Sequence, residues 1–115
     1  MAAPQQNPPG LALLTDHHNF GAWNSSLWQY LWAQGLMHYL VLDEMPAPDV
    51  DDCRYCYEAI WHQDEGRVLC LLELTALNNH HIRAALQEHN WIEDHTSPKY
   101  HYEMIVRVFG PVAPV

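Results

Sequence analysis

"LTDHHNFGAWNSSLWQYLWAQGLMHYL", residues 14–40, is the stretch that decides the fold. It carries His17, His18 and His38 together with three of the chain's five tryptophans. A metal site, an aromatic ligand pocket and a densely packed helix are all open readings, and spacing selects among them. Trp23, Leu27, Tyr30 and Leu31 fall at i, i+4, i+7 and i+8, which is one face of an α-helix. Asn19 stands where a side-chain oxygen caps the helix start, and Gly35 where a helix ends. Trp28 and Trp32 form a second i, i+4 pair offset around the same helix, so both sets are covered only if it packs on two sides. It is either a central core helix or one that carries a partner surface, with Trp28 and Trp32 as the candidate interface.

Working outward, Leu36, Tyr39 and Leu40 continue as a short second helix. "DEMPAPDVDD" (43–52) follows as a proline-broken, acidic loop, where Asp51 or Asp52 is placed to cap the next helix and to suit its dipole. Tyr57, Ile60, Trp61, Val68, Leu69 and Leu72 then form an apolar stripe running to about Leu74, with Gly66 costing about 1 kcal/mol relative to alanine. "NNHHIRAALQEHN" (78–90) reads as a shorter helix carrying Ile82, Ala85 and Leu86 behind an Asn78 or Asn79 cap. The last helix is framed by Ser97 and Pro98 at its start and by Gly110 and Pro111 at its end, with Tyr102, Ile105, Val106 and Phe109 as its apolar set. No segment alternates with a period of two. The reading is therefore all-α, a small bundle of about five helices, with residues 1–10 as a flexible lead-in, 11–110 as one helical domain and 111–115 as a tail.

Composition narrows the function. Hydrophobic residues make up 49% of the 115 and charged ones 17%, so the chain is expected to fold. Fourteen acidic residues against five basic ones give a formal charge of -9. The cations Arg54, Arg67, Arg83, Lys99 and Arg107 are scattered, which disfavours direct nucleic-acid binding and an anionic membrane surface. No apolar run approaches the roughly 20 residues that span a bilayer, and "MAAPQQNPPG" has neither the basic start nor the apolar stretch of a signal peptide. A soluble, cytoplasmic protein is expected, and three cysteines, an odd number, suit a reducing compartment.

Chemistry-bearing motifs are few. "CRYC" sets Cys53 and Cys56 at C-x-x-C spacing, with His62 and Cys70 following, and resembles a zinc knuckle at first glance. The onward spacing is too wide for that knuckle, its turn-permitting glycines are missing, and the segment is helical in period, so these thiols read as packing side chains. His17–His18 and His80–His81 are adjacent pairs whose side chains point in different directions. His81 and His89 share a helix face about 12 Å apart along the axis, too far for one ion, so the histidines are read as surface or half-buried side chains. No nucleophile elbow, phosphate-binding glycine loop or metalloprotease motif is present, and no base is marked for Ser25 or Ser26. Neither an enzyme nor a cofactor is expected.

The order of these elements resembles the N-terminal Gag region of copia-type LTR retrotransposons. Leu14, Phe20 and Trp23 match "L-x(5)-F-x-x-W". "LWQYLWAQGLMHYL" looks like the family's helix with its "GLxxYV"-type ending. The acidic, proline-containing "PAPD" comes next, then "YEAIWHQDEGRVLCLLELTAL", similar to the long middle helix, and "SPKYHYEMIVRVFG", similar to the closing "TAKEMWDALVEIYG" helix. Together they cover roughly residues 11 to 110. The resemblance implies a capsid-type helical module that works by protein–protein contact, through self-association or with other Gag copies. Phe20, Trp23, Leu27, Leu31, Leu36, Tyr39, Trp61, Leu69 and Leu72 match its apolar framework positions. Gly66, the acidity and "CRYC" depart from the family pattern, and RNA packaging is not carried over. Two alternatives stand beside it: a Gag-like adaptor binding one partner through Trp28 and Trp32, and a metal-binding protein using Cys53, Cys56 and histidines.

Overall fold

The computed structural model describes residues 11–42, 45, 46 and 54–111, with the side chains of Arg54 and Tyr55 left aside. The opening helix spans Phe20–Gln34 (α1) and buries Phe20, Trp23, Leu27 and Leu31. Its end is a left-handed Gly35 at φ +70°. The Gly35 N–H reaches the Trp32 carbonyl at 3.1 Å and the Leu36 N–H the Leu31 carbonyl at 2.8 Å, so two orphan carbonyls are satisfied while Leu36 packs beside Leu31. Any residue with a Cβ is strained at that φ, which is why glycine stands there. The helix start differs from the expectation. Asn19 occupies the N-cap position without capping α1; its Oδ1 accepts from the Thr15 and Asp16 N–H groups and its Nδ2 donates to the Leu13 carbonyl at 2.6 Å. Asp16 is the residue that caps, receiving the His18 N–H at 2.8 Å at the head of a 3-10 turn, His17–Asn19.

Residues Met37–Leu40 form one 3-10 turn in place of a short second α-helix, and Leu36, Tyr39 and Leu40 are buried. The second α-helix, α2, covers Arg54–Leu72 and passes into a π turn at Glu73–Leu77. Trp61 packs on Tyr39 with ring centroids 4.5 Å apart, and Val68, Leu71 and Leu72 enter the core. The stripe expected along this helix is buried at Trp61, Val68 and Leu72 but not throughout. Tyr57 and Ile60 are exposed, and Leu69 is half-buried at the edge of a cleft. The adjoining loop 43–52, apart from Met45 and Pro46, lies outside the described residues, as do the Asp51 and Asp52 caps, Cys53, and the expected lead-in and tail. Cys56 is disulfide-bonded, which departs from the expectation of reduced thiols, while Cys70 is free and exposed, not the packed core side chain expected.

Asn79 caps α3, His80–Gln87, by accepting the His81 and Ile82 N–H groups. The turn after α3 ends on Asn90 at φ +62°, with the Trp91 N–H on the Leu86 carbonyl at 3.2 Å. It is the same closing device as at Gly35, built on asparagine, the other residue that tolerates the left-handed region. Ser97 caps α4, Pro98–Phe109, accepting the Tyr100 N–H, with Pro98 in the first turn where a missing N–H costs nothing. At the other end Gly110 is extended, and a Cβ there would collide with the Val106 carbonyl. Helix α4 buries Pro98, His101, Met104 and Ile105, a face rotated from the expected one: Val106 is exposed, and Tyr102 and Phe109 are half-buried. It packs against α2, α3 and the Met37–Leu40 turn.

The architecture is an all-α small bundle. Among the described residues there are four α-helices and no strand, and no helix is long and apolar enough to cross a membrane.

Candidate interaction surface

Trp23 is fully buried, and its indole N–H donates to Thr75 Oγ1 at 2.9 Å. The Thr75 hydroxyl in turn donates to the Leu71 carbonyl at 2.7 Å, and the Thr75 carbonyl accepts the Leu14 N–H at 2.7 Å. One threonine in the π turn thus ties α1, α2 and the entering chain together. Ser26 makes a second tie, accepting the Ala12 N–H at 3.0 Å and donating to the Trp23 carbonyl. Beside them Tyr39 has its hydroxyl pKa pushed up to about 12, by burial first and then by the Asp64 carboxylate. Phe20, Trp23, Leu27, Leu31, Leu36, Tyr39, Trp61 and Leu72 are all buried in one core. Leu69 is the exception among the expected framework positions.

The candidate interface pair is split. Trp28 is half-buried, and its indole N–H is shared between Tyr102 Oη at 2.7 Å and Asn24 Oδ1 at 3.1 Å. Tyr102 completes the triangle by donating to Asn24 Oδ1 at 2.5 Å, and its ring meets Trp28 edge-on with centroids 5.9 Å apart. Burial raises the Tyr102 pKa, keeping the hydroxyl protonated for that role. Trp28 therefore holds α4 against α1 and is removed from the free surface, contrary to the sequence reading. Trp32, one turn further on, is 71% exposed. An indole in water is the feature of α1 that internal packing does not explain.

A second region was invisible in the sequence. An open cleft of about 810 Å³ runs beside the α3–α4 loop, lined among others by Leu69, Glu73, Arg83, Trp91, Asp94 and His101. Arg83 pairs with Glu93, and its guanidinium lies 5.3 Å from the Trp91 ring centroid. His101 is 2% exposed, so the expectation of surface or half-buried histidines fails at this position. It accepts the Trp91 indole N–H on Nδ1 at 2.9 Å, and its Nε2 lies 2.6 Å from the His95 carbonyl. Desolvation by burial lowers its pKa, outweighing the hydrogen bond to His95 and the charge of Glu73, which raise it. The signal that would have found it is Pro98, His101, Met104 and Ile105 at helical spacing, once histidine is admitted to an apolar face.

Among the described residues, no group of three or more histidine, cysteine or carboxylate side chains is arranged to hold a metal ion. His17 and His18 contact each other as exposed rings 3.9 Å apart. Comparison with known protein families, with curated proteins and with solved structures finds no match for this chain.

Proposed function

We propose that this chain is a Gag-like structural module of the copia type, a cytoplasmic capsid-type unit whose work is protein–protein contact with other Gag copies. The observation that carries the reading is Trp32. An indole that is 71% exposed, one turn beyond a tryptophan locked between helices, is an anchor held at fixed position on a rigid element. Few residue types contribute more to association when a partner covers them. The order of elements adds support, because the quoted motifs that lie among the described residues follow the helices in sequence. Phe20 and Trp23 open the core face of α1, the Leu36–Tyr39–Leu40 element follows its glycine end, and "SPKYHYEMIVRVFG" supplies α4 with its cap and stop. The polar side chains that the bundle buries, Thr75, Ser97 and His101, join helices and loops to one another, which fits a contact module better than an enzyme.

Sedimentation velocity at rising protein concentration and salt tests the reading. Discrete oligomers are expected from the unmodified chain. Trp32→Ala, which removes an exposed side chain and leaves the core untouched, is expected to lower the association constant at least tenfold with no change in melting temperature. A chain that stays monomeric throughout overturns assembly and leaves the single-partner adaptor as the reading to pursue.

A further inference from the structure

We propose that the α3–α4 loop, residues 88–97, is a proton-operated latch, docked on the bundle only while His101 is neutral and released when its imidazole takes up a proton. The inference is independent of the Gag reading. It rests on which atoms donate. The Trp91 indole nitrogen and the Ser97 backbone nitrogen act only as N–H donors. They point at His101 Nδ1, 2.9 Å away, and at His95 Nδ1, 3.0 Å away. Both rings must therefore accept on Nδ1. The single proton of His101 then sits on Nε2, where it is donated to the His95 carbonyl at 2.6 Å. These bonds run in series along the loop, Trp91 to His101 to His95 to Ser97.

Adding a proton to His101 Nδ1 sets it face to face with the Trp91 indole N–H, two donors with no acceptor between them. At His101, which is 2% exposed, no solvent relieves the clash. His95 is also stacked on Tyr100, with centroids 4.2 Å apart and planes 15° from parallel, and the Tyr100 hydroxyl accepts the Ile92 N–H at 2.7 Å. Displacing His95 thus loosens the loop at both ends.

The surrounding charges do not reverse this. Glu73, on the π turn, favours a charged His101, but burial outweighs it and lowers the pKa. Arg83, on α3, brings positive charge to the same cleft, paired with Glu93, while Asp94 belongs to the loop itself. On the side of His95 facing α2 and α4, Glu65 and Arg107 bring opposite charges to one cleft, and Lys99 pairs with Glu103 at 2.9 Å. Ordinary carboxylates titrate near pH 4, so the window around pH 6 belongs to the imidazoles.

The sign follows. A released histidine titrates near pH 6.5, above the docked value of His101, so the docked state binds fewer protons in the interval between the two. Docking is fully favoured above about pH 6.5 and weakens as pH falls from there towards the docked value. The ratio of released to docked loop rises by up to about tenfold per pH unit for the one proton that His101 takes up.

Amide hydrogen exchange of the full chain, expressed as protection factors between pH 7.5 and 5, gives the test. Protection at Ile92 and Ser97 is expected to fall at least tenfold across that range while Leu27 and Leu31 in α1 keep theirs. His101→Asn retains an acceptor for Trp91, and His101→Gln a donor for the His95 carbonyl, and neither titrates. In both variants the pH dependence of loop protection is expected to flatten, whatever its starting level. Imidazole ¹⁵N shifts of the unmodified protein serve if the variants do not fold, with His101 expected as the Nε2–H tautomer until the loop amides open. Uniform protection down to pH 5 overturns the latch, as does a His101 that gains its second proton while the Trp91 indole bond persists.

Discussion

Trp23 shows how far a single residue can be read and where reading stops. Its burial follows from its spacing with Leu27 and Leu31, but its hydrogen-bond partner Thr75 lies 52 positions away. Nothing local marks Thr75, since threonine in a helical stretch ordinarily faces water and bonds its own preceding turn. The same blindness hid His101, because a histidine counted as polar is excluded from a core face until both ring nitrogens are known to be bonded. Two substitutions separate packing from bonding at the Trp23 site. Trp23→Ala is expected to destabilise the fold by about 3–5 kcal/mol, through lost transfer energy and a cavity. Thr75→Val keeps the volume but leaves the indole N–H buried without an acceptor, for an expected cost of about 1–3 kcal/mol. Chemical denaturation measures both, and an unchanged midpoint for Thr75→Val would mean the indole finds another acceptor.

At the scale of elements, the helices with clear ends were legible and their faces less so. Gly35, Asn79 and Ser97–Pro98 each mark a boundary by a mechanism local to a few residues, and α1, α3 and α4 begin or end there. A face is decided by what lies opposite, which spacing does not disclose. The apolar stripe of α2 runs its length, yet Tyr57 and Ile60 are exposed while Val68 and Leu72 are fully buried. On α4 the buried set is shifted by a position, because His101 is inside and Tyr102 is drawn sideways to Trp28 and Asn24. That triangle joins α1 to α4, and a double-mutant cycle isolates it. Tyr102→Phe removes the hydroxyl with little change in volume, Trp28→Phe removes the indole N–H together with part of the ring that meets Tyr102, and a coupling of about 0.5–1.5 kcal/mol is expected between them, as for other groups in one packed, hydrogen-bonded network. Additive losses would show that the two groups are not coupled through the triangle. Trp28→Ala should accordingly destabilise more than Trp32→Ala, although the sequence presents them as equivalent members of one i, i+4 pair.

For the whole molecule, the decisive quantities are a formal charge of -9 and nine histidines. Copies of an acidic module repel one another at neutral pH and low salt, and both screening and histidine protonation reduce that repulsion. Free histidines titrate near pH 6.5 and free carboxylates near pH 4, so around pH 5 to 5.5 the exposed histidines gain charge while most acids keep theirs. His101 resists while its loop is docked, so the limiting net charge is about one negative unit rather than zero, and the ninth proton enters only with release of the loop. Association through a specific surface should therefore strengthen as pH falls from 7.5 to 5.5, and also at pH 7.5 when salt rises towards about 1 M, where the screening length is about 3 Å. Loss of charge alone also produces precipitation, which is why the readout is discrete species in sedimentation velocity, and why the salt arm at pH 7.5 matters: there the histidines are neutral and the loop is closed. If Trp32 anchors the contact, Trp32→Ala abolishes the oligomers in both arms. If oligomers appear only at low pH and survive Trp32→Ala but not His101→Asn, the opened loop is the adhesive surface and Trp32 is not. Persistence of the monomer in both arms would remove self-assembly by this domain and turn attention to a single partner for the exposed indole.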